Sequence, residues 1–185
     1  MVETTTSVRF GRDLIELALG ILRREYSRGI EYASAVVQDG LGDVAVVFVG
    51  ETPAGTEVFY ALELQPRVCV HYYIAVLREY RGRGLGKLLV RSVEGRCRAQ
   101  AYLATTTSDN VGARRLFASL GYTEYSWEEL DVSARNLLLR ATCGYDDDLV
   151  LIKGIAPSAL RDVRNVSAKF NERECYYVWL RLRRS

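Results

Sequence analysis

Residues 72–89 constrain this chain more than any other stretch. Tyr72-Tyr73-Ile74-Ala75-Val76-Leu77 is an apolar run, and the turn Arg78-Glu79-Tyr80-Arg81-Gly82-Arg83-Gly84 follows it directly. From there Leu85, Leu88, Leu89, Val93 and Cys97 recur at helical spacing. A strand must therefore enter a helix through a basic, glycine-rich turn. Glycines at 82, 84 and 86 let the backbone approach a ligand closely. A helix starting near Leu85 leaves its first N–H groups unpaired and carries partial positive charge at that end. A phosphate fits such a place, and Arg81, Arg83 and Lys87 add full charges.

Two other phosphate sites fit poorly. A dinucleotide fold wants Gly-x-Gly-x-x-Gly and an acidic residue about twenty positions later. The glycines here fall as Gly-x-Gly-x-Gly, with no strand ending in Asp or Glu at that distance. A P-loop wants Gly-Lys-Ser/Thr, but Gly86-Lys87 is followed by Leu88. Downstream, Asn110-Val111-Gly112-Ala113-Arg114-Arg115-Leu116-Phe117-Ala118-Ser119-Leu120-Gly121-Tyr122 predicts a short helix. Its face is Ala113, Leu116, Phe117 and Leu120, and Gly121 stops it.

Together these two stretches resemble the acyl-CoA site of the GCN5-related N-acetyltransferase (GNAT) superfamily. The resemblance covers residues 41–125 well and both ends loosely. It implies an α/β (α+β) fold: a mixed, mostly antiparallel sheet, helices on both faces and two splayed central strands. The coarse pattern agrees. Strands are expected at Thr4–Phe10, Asp43–Gly50, Thr56–Leu64, Val68–Leu77, Tyr102–Thr107 and Tyr122–Leu130. Pro53 and Gly55 mark a turn between the second and third. Helices are expected after Asp13, over Ile30–Gln38, over Gly84–Arg98 and after Ser108 or Asp109. The first carries Leu14, Leu17, Ala18, Ile21 and Leu22 on one face. Cys175–Leu182 is the candidate last strand. The stretch 131–174 before it is too long for a hairpin turn and reads as a helical insert, with one helix at Leu137–Leu139 and another from Ser158 through Phe170.

Length and composition set the frame. A chain of 185 residues predicts a single domain over 1–185. No apolar run is long enough to cross a bilayer and no signal peptide opens the chain, which points to the cytoplasm. A net charge of +2 argues against a nucleic-acid binder. Of the 25 Lys+Arg only Lys87, Lys153 and Lys169 are lysines, a bias that fits a GC-rich genome or a thermophile. The cysteines at 69, 97, 143 and 175 show no metal-ligand spacing, so no metal is expected. They read as buried thiols, or as a disulfide if the host is a hyperthermophile.

The resemblance also implies chemistry: direct transfer of an acetyl group from acetyl-CoA to a primary amine. The donor would enter between strands 68–77 and 102–107. Its pantetheine arm would pair with backbone at Ile74, Ala75 and Val76. Arg81, Gly82, Arg83, Gly84, Leu85, Gly86 and Lys87 would hold the pyrophosphate, and Asn110 and Phe117 would contact the arm. A backbone N–H near Val76 or Leu77 would polarise the thioester carbonyl. Orienting the two reactants alone can supply about 7–11 kcal/mol.

Three usual catalytic positions are altered. Phe117 stands where many relatives carry a Tyr that protonates the departing sulfur. Thr105 stands where the branch acting on protein N-termini often carries a Glu base. Tyr72 and Val70 stand where another Glu is common. The enzyme is thus expected to have an atypical or missing general acid and base. Tyr72, His71 and Glu63 are the candidate replacements, with Glu57, Tyr122 and Tyr125 behind them. Tyr72 shares a strand face with Ile74 and Val76, and His71 lies on the other.

A weak base favours an acceptor that is already partly neutral. An α-amine with a pKa of about 7.7–8.0 meets that need and a lysine at about 10.4 does not. A peptide N-terminus is therefore the preferred acceptor, ahead of a lysine or another small amine. Asp146-Asp147-Asp148 would attract a cationic substrate, and the insert could instead form a homodimer interface. The rival class is a CoA-binding module with little catalysis, serving regulation or assembly.

Overall fold

The computed structural model describes residues 5–163 and 175–184. Seven strands form one sheet: β1 (Thr6–Phe10), β2 (Asp43–Val49), β3 (Thr52–Leu62), β4 (Val68–Val76), β5 (Ala101–Thr106), β6 (Thr123–Ser126) and β7 (Leu149–Lys153). Their order is β1-β2-β3-β4-β5-β7-β6. The described helices are α1 (Ile15–Glu25), α2 (Ile30–Gln38), α3 (Leu85–Cys97), α4 (Val111–Ala118), α5 (Val132–Thr142) and α6 (Cys175–Arg183).

The chain divides into two compact units. One runs through Phe59 and adds Tyr72–Arg96; the other takes Tyr60–His71 and the chain from Cys97 onward.

In the first unit β1 pairs antiparallel with β2, and β2 with β3. The run Asp-Val-Ala-Val-Val-Phe-Val of β2 is buried on both faces at its centre, as an apolar run without alternation requires. Pro53 and Gly55 lie inside β3 rather than in the turn before it. The register slips between Val47 and Phe48, opposite this segment, and a bulge is where a strand tolerates proline. In α1, Ala18, Leu19, Ile21 and Leu22 face the core. Leu17, expected on that face, is 36% exposed, and Leu19 takes its place. Asp13 belongs to a single 3₁₀ turn, Arg12–Leu14, ahead of α1. In α3, Leu85, Leu89, Val90 and Val93 are buried, and the expected core residue Leu88 is 36% exposed.

In the second unit β4 and β5 run parallel, pairing Val68–His71 with Ala101–Ala104. β7 is antiparallel to β5 and also to β6. Leu149–Lys153 is therefore the strand expected beside 122–130. The expected strand at Cys175–Leu182 is instead the helix α6. Its bulky residues have strand propensity, but that preference yields to context: the sheet position is filled by β7, and Trp179 stacks on Tyr145 with ring centres 4.4 Å apart. The stretch 131–174 holds the expected helix at 137–139, as α5, together with β7. Of the helix expected from Ser158, the start is a 3₁₀ turn at Pro157–Ala159, and Val166 and Phe170 lie outside the described residues. β6 ends at Ser126, where a capping box with Glu129 opens a 3₁₀ turn.

Cys69 and Cys97 form a disulfide rather than two buried thiols. It ties β4 to the residue that ends α3. Arg67 clamps the same place, donating to the Cys97 carbonyl at 2.6 Å from Nη1 and to Glu63 at 2.7 Å from Nε.

Candidate active site

In the first unit, β4 passes through the 3₁₀ turn Arg78–Tyr80 into α3. Gly82 and Gly84 both have φ of 76°, in the region that disfavours side chains. Nothing lies within 4 Å of where a Cβ would stand at either residue. Leu88 N–H donates to the Gly84 carbonyl, so the N–H groups of residues 85–87 precede this intrahelical bond. The result is an open, exposed loop aimed into the positive end of a 13-residue helix. An oxyanion such as a diphosphate fits this loop.

The cations divide by role. Arg81 turns back, donating from Nε to the Val76 carbonyl at 2.9 Å and from Nη2 to Glu25. Arg83 donates to the Glu79 carbonyl at 3.3 Å and lies over the Tyr80 ring. Both brace the loop. Lys87 stands exposed in the first turn of α3. Glu79 is held below the usual carboxylate range by its backbone hydrogen bond and then by Arg24.

The end of β4 is fixed by tyrosines. Tyr26 donates its hydroxyl to the Ile74 carbonyl at 2.9 Å, and Tyr73 donates to Gly29 at 2.7 Å. Tyr72 packs edge-on against Tyr73. Tyr72, Ile74 and Val76 are half-buried and Ala75 is buried, so Tyr72 remains reachable. The N–H of Leu77 donates to Ala54. That bond removes Leu77 from the two expected oxyanion donors.

The second unit carries an aromatic box. His71, 4% exposed, lies among Tyr102, Phe117 and Tyr122, with ring centres 5.7–6.2 Å away. His71 Nε2 and the Tyr122 hydroxyl share a hydrogen bond of 2.8 Å. Phe117 is 2% exposed and packs edge-on against Tyr122. Asn110, rather than Ser108 or Asp109, caps α4, its Oδ1 accepting from Ala113 N–H at 3.1 Å. Glu63 is exposed and paired with Arg67. Glu57, by contrast, is fully buried in β3. Tyr125 is half-buried in β6.

The triple aspartate before β7 separates into three functions. Asp146 pairs with Arg183 of α6. Asp148 accepts from Ser108 N–H and hydroxyl, both at 2.9 Å, and these bonds hold its carboxyl below the usual range. Asp147 accepts a short hydrogen bond from the Thr105 hydroxyl. Burial pushes its carboxyl up; the Thr105 bond opposes that, and the charges of Asp146 and Asp148 add to the rise. Sequence reasoning located the acidic run but not its contact with Thr105. The only signal was a polar run immediately ahead of a strand-forming apolar one.

Comparison with known proteins agrees with this architecture. A family model described as the acetyltransferase (GNAT) family matches residues 10–122. No curated protein sequence matches the chain. Among solved structures, Arabidopsis thaliana Naa50 in complex with the bisubstrate analogue CoA-Ac-MVNAL has a TM-score of 0.56 at 16% identity, over 81% of this chain and 99% of that one. Arabidopsis thaliana NAA60 in complex with acetyl-CoA has a TM-score of 0.59 at 14% identity, over 82% and 100%. A protein of the GNAT family from Desulfovibrio desulfuricans reaches 0.60 at 14% identity, with the same coverage. At such identities the likeness is one of fold. The family match spans more than half of the 185 residues, and with it the cradle and the helix that follows β5; the chain belongs to the acetyltransferase (GNAT) family.

Proposed function

We propose that this protein is an N-acetyltransferase that moves an acetyl group from acetyl-CoA directly to a primary amine, with a peptide N-terminus as the preferred acceptor. The observation that carries the reading is the cradle at 82–87. Two positive-φ glycines with open space above them lead into the start of α3. Backbone N–H groups there suit the CoA diphosphate, and Lys87 adds a charge beside them. Two solved structures of similar fold are complexes with acetyl-CoA or with a CoA–peptide analogue, which supports both the donor and the class of acceptor.

The amine preference rests on acid–base chemistry. Of the residues expected to act as base, His71 is enclosed by rings and Glu63 is paired with Arg67. Tyr72 is reachable, but a phenol is a weak base at neutral pH. An acceptor with a low pKa asks least of such a site.

Release of free thiol from acetyl-CoA, measured against peptides with free N-termini, N-blocked lysine peptides and small amines, tests this. Turnover with the free N-termini fastest is expected. Acetylation of lysine side chains alone would remove the acceptor assignment. Tight acetyl-CoA binding with no thiol release for any amine would favour a CoA-binding module instead. Gly84→Val should weaken acetyl-CoA binding at least tenfold, because its side chain would enter the open space and the backbone would be strained.

A further inference from the structure

The strand that feeds the cradle turns one edge to β3 and one away from it. Leu77 N–H donates to Ala54, so the backbone groups of Leu77 face β3. Alternate residues face opposite edges, so those of Ile74 and Val76 face away. Side chains meet both carbonyls on that edge. Ile74 accepts from the Tyr26 hydroxyl at 2.9 Å, and Val76 accepts from Arg81 Nε at 2.9 Å.

Both contacts lead back to the end of α1. Glu25 is its last residue and Tyr26 follows as its cap. Glu25 accepts from Arg81 Nη2 and, at 3.3 Å, from Arg78 N–H. One guanidinium therefore joins Glu25 to Val76 across the turn 77–81. A carboxylate at the negative end of a helix dipole is unfavourable, so α1 itself gains nothing from Glu25. The turn gains instead. Burial separates this contact from the other ion pair on the same turn. The Glu25 side chain is 12% exposed. Arg24 and Glu79 are 58% and 52% exposed, and such exposed pairs contribute little. Tyr73 completes the attachment, donating to Gly29 beyond Tyr26. All of these residues belong to the first unit.

We propose that Glu25 is a positioning residue for donor binding: through Arg81 it fixes Val76 and the entry to residues 82–87 in the shape that receives the donor. It touches no ligand itself. The assignment rests on the acetyl-CoA reading of the cradle given above. A guanidinium holds its donors in one rigid plane. With Nη2 taken by Glu25, Nε is left aimed at the Val76 carbonyl. Without the carboxylate, Arg81 regains its rotamers and the turn is ordered only when the donor arrives. That ordering is subtracted from affinity. The transfer step starts from the bound donor and is spared.

The test is calorimetry of acetyl-CoA binding to the full chain, beside steady-state kinetics with a peptide bearing a free N-terminus. Glu25→Ala should raise the Kd and KM for acetyl-CoA about tenfold, with kcat at saturating donor within about twofold of wild type. Arg81→Lys keeps the positive charge and loses the fork, so it should weaken binding alike. The two changes together should be no worse than either alone, because they break one relay. Arg24→Gln, which breaks the exposed pair, should bind as the wild type does. An unchanged Kd in Glu25→Ala, an equal loss in Arg24→Gln, or additive losses in the double variant overturns the proposal. If Glu25→Ala does not fold, Glu25→Gln decides: weaker binding supports the role and wild-type affinity overturns it. A wild type that binds acetyl-CoA yet releases no thiol with any amine removes the transferase reading alone, and the shift in Kd still supports the positioning role. A wild type that does not bind acetyl-CoA overturns both.

Discussion

Asp147 and Asp148 are adjacent carboxylates with opposite effects on stability. Asp147 has a folded-state pKa raised above its unfolded value of about 3.9. Between those two values the native state holds more protons, so stability falls as pH rises through that window. Asp148 is lowered, first by the Ser108 N–H and then by its hydroxyl. Its contribution is present above the unfolded pKa and is lost as pH falls through the folded one. Thermal melts should therefore diverge. Asp147→Asn should gain Tm relative to wild type as pH rises through the window from about 4, then level off. Asp148→Asn should lose Tm relative to wild type as pH rises toward about 4, then level off. Parallel curves for the two variants would contradict these placements. Gly144→Ala tests the close approach beside them: a methyl 2.6 Å from Thr105 should cost about 1–3 kcal/mol in chemical denaturation.

Among the elements, β4 is tied at both ends. Its start is joined to the last residue of α3 by the Cys69–Cys97 disulfide, across a sequence separation of 28. Closing a loop of that size stabilises by about 3–4 kcal/mol on chain-entropy grounds. A Cys69→Ala, Cys97→Ala double variant should lose roughly that in guanidinium unfolding. The elements also show what could be read from the sequence. The cradle was legible because its parts are local: strand, glycines and helix face fall within residues 72–97. The disulfide, the Thr105–Asp147 contact and the His71–Tyr122 pair join residues distant in the chain, and no periodicity encodes them. α6 was misread because Tyr-Tyr-Val-Trp has strand propensity, whereas packing decides its state. Asn110 was noticed for ligand contact, and its capping of α4 was missed because three polar residues in a row compete for that position.

For the whole molecule, ligand linkage gives the broadest prediction. A donor that binds only the folded chain should stabilise it by about 2.7 kcal/mol at one hundred times its Kd. Acetyl-CoA should raise Tm accordingly in a thermal-shift assay, and ATP or NAD at the same concentration should not. A larger shift with either nucleotide would contradict the reading of the cradle. Among the described residues no helix is long and apolar enough to cross a membrane. The position of β7 has a consequence for how the chain is made. β7 lies between β5 and β6 and is antiparallel to both. During synthesis β6 emerges first, with its eventual neighbour still unmade. If β6 settled directly against β5 it would occupy the place that β7 needs, and the segment bearing Asp147 could not reach Thr105. The unit must therefore hold that gap open until residue 153 is available, so it completes late and through contacts distant in sequence.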